Sequence, residues 1–208
     1  MRNSFYKNSI ALNEFCDGKQ LQLTTCRRSD STLFNMLLDE NIDNINIHSF
    51  TNNFTDIHIA FTNKKRIEIN KKKMMNKVVK QKKKKPLCLP KLQYDTNSQD
   101  VELIVGMPII ARVNANKYDI FNNEMFIITT ITDDSIFFKD EENNKQVFNI
   151  PSNLFQRSFY VAYCITVHKS QGSTFNNPYT IHEFNKFDNR LKYVALSRST
   201  DIKNINII

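Results

Sequence analysis

Thr166-Val167-His168-Lys169-Ser170-Gln171-Gly172-Ser173-Thr174 is the stretch whose reading decides the fold of this chain. It gathers hydroxyl, imidazole, ammonium and amide groups and turns on a glycine. The run leading into it, Tyr160 to Val167, is mostly apolar and fits a buried strand. Polar groups at the carboxyl end of such a strand lie where open α/β sheets bind ligands. Thr166, Ser170 and Thr174 can donate hydroxyls to phosphate oxygens, and Lys169 adds a charge-assisted contact. His168 can donate to a phosphate or stack on a base, and Gly172 lets the backbone approach closely. An ordinary polar loop after a strand is the alternative.

Outward from that run, strand and helix signals alternate. Upstream, Leu21-Gln22-Leu23 reads as a short strand. Asp30 or Ser31 can then cap a helix with Leu33, Phe34, Leu37 and Leu38 on one face. Asn41 to Phe54 is an Asn-rich connector with a weak strand. Asp56 to Phe61 is a strand by alternation of Ile57, Ile59 and Phe61. Lys64 to Val79 is a helix with Ile67, Met74, Met75 and Val78 as its apolar positions. Lys82 to Lys85 repel one another and form an exposed loop or arm, and Lys91 to Asp100 continues as linker. Downstream, Tyr179 to Phe184 is a strand. A helix with Phe187, Leu191 and Val194 on one face runs to about Arg198, and Asn204 to Ile208 is a last strand.

Between these stretches the pattern changes. Val101–Val105, Pro108–Val113, Met125–Ile131, Ser135–Phe138 and Gln146–Ile150 are short strands. The turn signals Gly106-Met107, Asn122-Asn123, Asp133-Asp134 and Asn143-Asn144 separate them. Five short strands with tight turns suggest a small antiparallel barrel. The expected organisation is α/β with an insert: residues 1–20 unassigned, 21–100 and 152–208 as two parts of one domain, and 101–151 as the barrel.

Composition fits a folded domain with a polyanionic partner. The chain has 208 residues, 40% of them hydrophobic and 24% charged, enough for one domain with an insert. Its net charge of +8 favours a polyanionic partner such as nucleic acid; a solvated basic surface is the alternative. Cys16, Cys26, Cys88 and Cys164 form no CxxC pair and have no His at zinc spacing, so no metal site is expected, and a reducing compartment is. Met1 to Leu12 is broken by Arg2, Asn3, Lys7 and Asn8 and does not read as a signal peptide. No apolar stretch is long enough to cross a bilayer, so a soluble intracellular protein is expected. Richness in Asn, Ile and Lys fits an AT-rich genome, as in a large DNA virus.

Together with Tyr193-Val194-Ala195-Leu196-Ser197-Arg198-Ser199, the opening run resembles the last two motifs of superfamily 1 nucleic-acid helicases of the RecD, Dda and Pif type. Leu23-Thr24-Thr25-Cys26-Arg27-Arg28-Ser29 resembles the Leu-x-x-x-x-Arg-Ser string at the junction of their two motor domains, with Thr25 and Cys26 where the family often has Gln and Asn. Ala60-Phe61-Thr62-Asn63, with Asn70 downstream, resembles a strand-end string that grips the DNA backbone. A helix cap is the alternative role for Thr62 and Asn63. Gly106 to Asn114, then Phe121-Asn122-Asn123-Glu124, resembles the Src-homology-type barrel inserted in these enzymes. Asn123 stands where Gly is common, and Asn also tolerates a left-handed turn.

The resemblance spans Leu21 to Ile208 and implies a RecA-like, P-loop-NTPase-type α/β domain carrying the barrel. It implies single-stranded DNA contacts at Thr62, Asn63, Thr166, His168, Lys169, Ser170 and Thr174, with RNA left open. Gln171 and Gly172 would couple to ATP. Arg198 would reach the γ-phosphate, where a guanidinium from the opposite domain is worth about 10³–10⁵ in rate, and Arg28, or Arg27, would join it. The alternative for Arg198 is an arginine that ends a surface helix and favours its dipole.

The phosphate loop of such a motor is not expected within these residues. The three glycines, Gly18, Gly106 and Gly172, begin no GxxxxGK[ST] string, and Asp39-Glu40 reads as a charged helix end. ATP and Mg²⁺ are therefore expected only in the complete helicase, with a second RecA-like domain supplying the loop and translocation running 5′ to 3′ by analogy. The chain by itself is expected to be inactive as an ATPase. The competing expectations are a nucleic-acid-binding relic without catalysis and a protein-interaction module.

Overall fold

Crossover connections cover a parallel sheet on both faces, whereas an antiparallel sheet is joined by tight turns, and this chain builds one larger sheet of each kind beside a two-stranded one. A computed structural model of the chain describes residues 10–15, 17, 19, 28–38, 55–81, 85–140 and 147–208. The expectations at residues 21–23, 27, 39–54, 82–84 and 141–146 fall outside the described residues.

The helices and strands, in chain order, begin with α1 (Ile10–Phe15), α2 (Ser31–Leu38), β1 (Ile57–Ala60), α3 (Asn63–Lys80), β2 (Leu87–Leu89) and β3 (Val101–Leu103). The middle of the chain holds β4 (Pro108–Ala111), β5 (Met125–Ile131), β6 (Ser135–Asp140) and β7 (Val147–Pro151). The last third holds α4 (Phe155–Ser158), β8 (Phe159–Val161), β9 (Cys164–Thr166), β10 (Tyr179–Ile181), α5 (Asn189–Leu196) and β11 (Ile205–Ile207).

The parallel sheet has the order β11-β10-β1-β9. One face packs Ile59, Ile165, Tyr179, Ile181, Ile205 and Ile207 against Leu33 of α2 and Ala195 and Leu196 of α5. Asp30 starts α2, its Oδ1 accepting from the N–H groups of Thr32 and Leu33 at 2.9 and 3.0 Å. Its Oδ2 accepts from Ile202 N–H at 2.8 Å, which ties α2 to the end of the chain. The other face of the sheet meets α3 through Ala60, Ile69 and Cys164.

The helix expected from Lys64 to Val79 forms, but its buried face differs from the apolar one expected. Arg66, Ile69, Asn70 and Met74 are buried, whereas Met75 is 51% exposed. The cause is β9, which among the described residues has a strand neighbour on one side only and so leaves backbone groups without a ladder partner. The Asn70 amide supplies both missing bonds: Nδ2 donates to Cys164 O at 2.9 Å and Oδ1 accepts from Cys164 N–H at 2.8 Å. The polar residue thereby fixes which side of the helix turns inward.

The antiparallel sheet has the order β7-β6-β5-β4-β8. Phe126, Phe138, Phe155 and Phe159 are fully or almost fully buried in its core. Two expectations about its membership are corrected. Val101–Leu103 pairs with Leu87–Leu89 in a separate two-stranded sheet, and the fifth place goes to β8. The single strand expected over Tyr160 to Val167 is two strands, with β8 on β4 and β9 on β1. The changeover takes one residue step: Ala162 N–H donates to Pro108 O at 2.9 Å, and Tyr163 O accepts from His58 N–H at 2.8 Å. An apolar run is equally suited to either sheet, so its periodicity carries no sign of the break.

The turns behave as their residues require. Gly106 takes φ +82° between β3 and β4, and Asn123 takes φ +75° before β5, the left-handed conformation for which Asn is suited. Lys91 to Asp100, expected as linker, is packed in part: Ser98 and Gln99 are buried, and the Gln156 amide donates to the carbonyls of Leu89, Pro90 and Gln99.

Candidate nucleic-acid interface

After β9 the chain coils through successive tight turns. Ser170 N–H donates to Thr166 O at 3.0 Å, Gln171 N–H to His168 O at 3.4 Å, and Ser173 N–H to Ser170 O at 3.1 Å. Ser170 is completely buried and its hydroxyl donates to Val167 O at 2.8 Å, so it holds the loop's shape and offers no group to a ligand. That differs from the phosphate contact expected of it. Gly172 takes φ +91°, and a Cβ there would meet nothing within 4 Å. The glycine serves this left-handed backbone conformation and leaves open space beside it.

Thr166, Lys169 and Asn63 share the wall of one cavity of about 150 Å³. His168 beside them is exposed. The Lys169 ammonium donates to Asn122 Oδ1 and Asn123 Oδ1, each at 2.8 Å, and so clasps the turn before β5 to the loop after β9. Burial, with Arg112 and Arg66 nearby, holds its pKa below the usual lysine range.

Thr62 is the N-cap of α3, its hydroxyl accepting from Lys65 N–H at 3.1 Å. The same hydroxyl and the Thr62 N–H each donate to Glu183 Oε2 at 3.0 Å. Glu183 has φ +59° and pairs with Lys186 at 2.8 Å. Burial pushes the Glu183 carboxyl up, but the hydrogen bonds from Lys186 and Thr62 outweigh it and hold it below the ordinary value. Asn63 Oδ1 accepts from Arg66 Nε at 2.9 Å. In this structure the Thr62 hydroxyl is therefore engaged as a cap and by a carboxylate, and Asn63 is engaged by its own helix.

A second group forms on the far side of the same loop. Arg198 lies just past α5. Its Nε donates to Val194 O at 2.9 Å, its Nη2 to Ser197 Oγ at 3.0 Å, and its Nη1 to Ser170 O and Ser173 O at 3.3 and 3.2 Å. Those carbonyls bracket Gln171 and Gly172, both exposed. Arg28 Nη2 donates to Thr174 Oγ1 at 2.9 Å. Thr174, expected with the DNA contacts, thus sits with Arg28 and Arg198. Burial and then the Arg28 charge lower the Arg198 pKa. Gln171, Gly172 and Thr174 also line a groove of about 990 Å³ with Lys73, Lys77 and Lys80.

Sequence reasoning passed over four residues here: Glu183, Arg66, Tyr160 and Arg112. The Arg66 and Arg112 guanidinium carbons lie 4.6 and 4.4 Å from the centre of the Tyr160 ring, a cation–π arrangement. Arg112 is ion-paired with Asp95 at 2.6 Å, and Tyr160 Oη donates to Asp95 at 3.3 Å. The available signal for Arg66 was an arginine standing in an otherwise lysine-rich helix. Among the described residues, no group of three or more His, Cys, Asp and Glu is gathered for a metal, and no helix is long and apolar enough to cross a membrane.

No family model matches the chain, and no curated protein matches it in sequence. Solved structures do match. A Pif1 structure addressing DNA unwinding at forked duplex DNA by two coordinating Pif1 helicases has a TM-score of 0.64 at 21% identity, over 88% of this chain and 48% of that one. Bacteroides Pif1 bound to single-stranded DNA gives 0.64 at 20% identity, over 90% and 51%. Pif1 from Bacteroides in complex with ADP-AlF3 and single-stranded DNA gives 0.54 at 22% identity, over 85% and 44%. The chain spans about half the length of the solved helicases it matches. At these identities the likeness is one of fold: the mixed α/β chain has the fold of part of a Pif1 helicase.

Proposed function

We propose that this chain is the C-terminal motor half of an ATP-dependent superfamily 1 DNA helicase, a RecA-like domain whose inserted Src-homology-type barrel is built on β4 to β7 and joined by β8. The observation that carries this reading is the loop from Thr166 to Thr174. It leaves the carboxyl end of a parallel strand, turns Thr166 and Lys169 toward Asn63, and is bonded on its other side by Arg198 and Arg28. One loop thus touches both groups of residues, as coupling of strand movement to nucleotide state requires. The fold shared with Pif1 helicases, one bound to single-stranded DNA and one also to ADP-AlF3, supports the same reading.

In this reading Asn63, Thr166, His168 and Lys169 hold the strand. Thr62 joins them when Glu183 withdraws, and Ser170 shapes the loop. Arg198 and Arg28 exchange their carbonyl and hydroxyl partners for the γ-phosphate of ATP. Mg²⁺ and the phosphate loop belong to a second RecA-like domain that these 208 residues do not contain. Closure of the two domains brings the arginines to the phosphate, and Gln171 and Gly172 pass that event along the loop to the grip.

The test is fluorescence anisotropy of a labelled single strand across a salt series. Wild type is expected to bind with affinity that falls steeply with salt. Thr166→Ala/Lys169→Ala is expected to bind at least tenfold more weakly, with a log–log salt slope shallower by about 0.7 for the charge removed. Equal binding by both proteins would remove this loop from the interface.

A further inference from the structure

Arg66 is, among the described residues, the one lysine or arginine that is fully buried, at 3% exposure. Its guanidinium is incompletely satisfied. Nε donates to Asn63 and Nη2 to Asn97 O, while the enclosed Nη1 has no hydrogen-bond partner among the described residues. Among the described residues no carboxylate forms an ion pair with it; the nearest acid of the cluster, Asp95, is taken by Arg112. A buried cation with an unmet N–H and no counter-ion is costly, and a fold keeps one where something else neutralises it.

Arg66 lines the cavity of about 150 Å³ that also holds Asn63, Thr166, Tyr160 and Lys169. Two cationic residues, a threonine and an asparagine therefore line one small space, with the Lys169 ammonium bonded to Asn122 and Asn123. It is several times the roughly 30 Å³ share of a water molecule and well under the roughly 300 Å³ of pockets that enclose a drug-sized ligand. It suits one tetrahedral anion and excludes a whole nucleotide.

We propose that this cavity is a site for a single phosphate group, held by Arg66 and Lys169 with Thr166 and Asn63 as neutral donors. The site deepens the nucleic-acid reading, on which it rests for its source: one backbone phosphate of the bound strand is lodged there while its neighbours stay at the surface. Arg66 then makes its third hydrogen bond to a phosphate oxygen after a small shift of the neighbouring Tyr160 ring, and the Lys169 ammonium turns one N–H from the turn before β5 to the same group. A free phosphate presents the same oxygens, and the experiment separates the two sources.

The experiment uses the full chain and a short labelled single strand in which each phosphate in turn is replaced by a neutral methylphosphonate. With wild type, one position is expected to weaken binding by about tenfold, the loss of a charge-assisted hydrogen bond. Arg66→Lys keeps the charge but lacks the fork, and Thr166→Val leaves Arg66 in place. In each variant, after its fold is checked by melting, the penalty at that position is expected to shrink severalfold while the others hold. An even loss across all positions in wild type, or a penalty intact in both variants, overturns the site.

Failure of wild type to bind the strand at any salt concentration would instead defeat the nucleic-acid reading itself. Phosphorus NMR with inorganic phosphate and pyrophosphate then decides. Broadening with wild type that Arg66→Lys abolishes keeps the phosphate site with a free ligand, and no broadening overturns that as well.

Discussion

The two larger sheets solve the same burial problem with opposite chemistry. The antiparallel sheet is held by rings: Phe138 lies 5.1 Å from Phe126 and 4.9 Å from Phe159 in edge-on contacts, and stacks with Phe148 at 6.0 Å. The parallel sheet presents a polar row to α3. His58 lies beside Cys164 and Thr180, and Thr180 beside Asn206. His58 Nδ1 and His182 Nε2 share a hydrogen bond of 3.0 Å, the Thr180 hydroxyl pairs with that of Thr55, and Asn206 donates to Thr180. Ring packing depends on volume, whereas a buried polar row depends on every partner being present. The first tolerates changes that preserve size; the second is sensitive to single atoms and to pH.

The largest effect is expected in the ring cluster. Phe138→Ala should destabilise the chain by about 3–5 kcal/mol in urea denaturation, because the cavity it leaves is walled by three other rings. Phe138→Leu should recover more than half of that. Equal losses for the two would mean that ring geometry, not volume, holds this sheet.

Next in size is the edge of the parallel sheet. Asn70→Ala strands the Cys164 N–H and C=O together and should cost about 3 kcal/mol. A loss below about 1 kcal/mol would show that solvent reaches β9, which would erase much of the contrast between the sheets.

The smallest effect sharpens the contrast by titration. Burial first, then Lys73 and His182, hold His58 down to about 3, with Asp56 opposing. Burial first, then Lys65, hold His182 down to about 4, with Glu183 and Glu68 opposing. Both rings fold neutral. Their contribution is present above the unfolded value of about 6.5 and is lost as pH falls toward the folded values. Between pH 6.5 and 5.5 each ring should take away about 1 kcal/mol, while carboxylates stay ionised. The melting midpoint should fall over that window, and His182→Gln should flatten the dependence. An unchanged slope in that variant would assign the titration elsewhere.

Much of this architecture was legible in the residues. Thr62 with the Lys-rich run after it marks α3 to within a residue or two, and the turn signals at Asn122-Asn123 and Asp133-Asp134 mark off β5 and β6. The polar run after Val167 points to the loop that joins the two groups of candidate residues. Local signals suffice there, because a cap, a turn or a period of two is written in adjacent positions. Other features were hidden. Ser170 reads as a ligand hydroxyl until its burial is known, and Thr174 reads with the DNA contacts until Arg28 is seen beside it. Glu183, far from Thr62 in sequence, carries no mark of the contact.

The sequence by itself determined the alternation of strand and helix, the positions of the turns at Gly106 and Asn123, and the chemistry of the Thr166–Thr174 loop. Only the tertiary structure decided where Tyr160 to Val167 breaks between two sheets, which face of α3 turns inward, and that an arginine stands buried at position 66. Each of the latter depends on partners far along the chain, Pro108 for Ala162, Cys164 for Asn70, Asn97 for Arg66, and a periodicity records burial without recording against what.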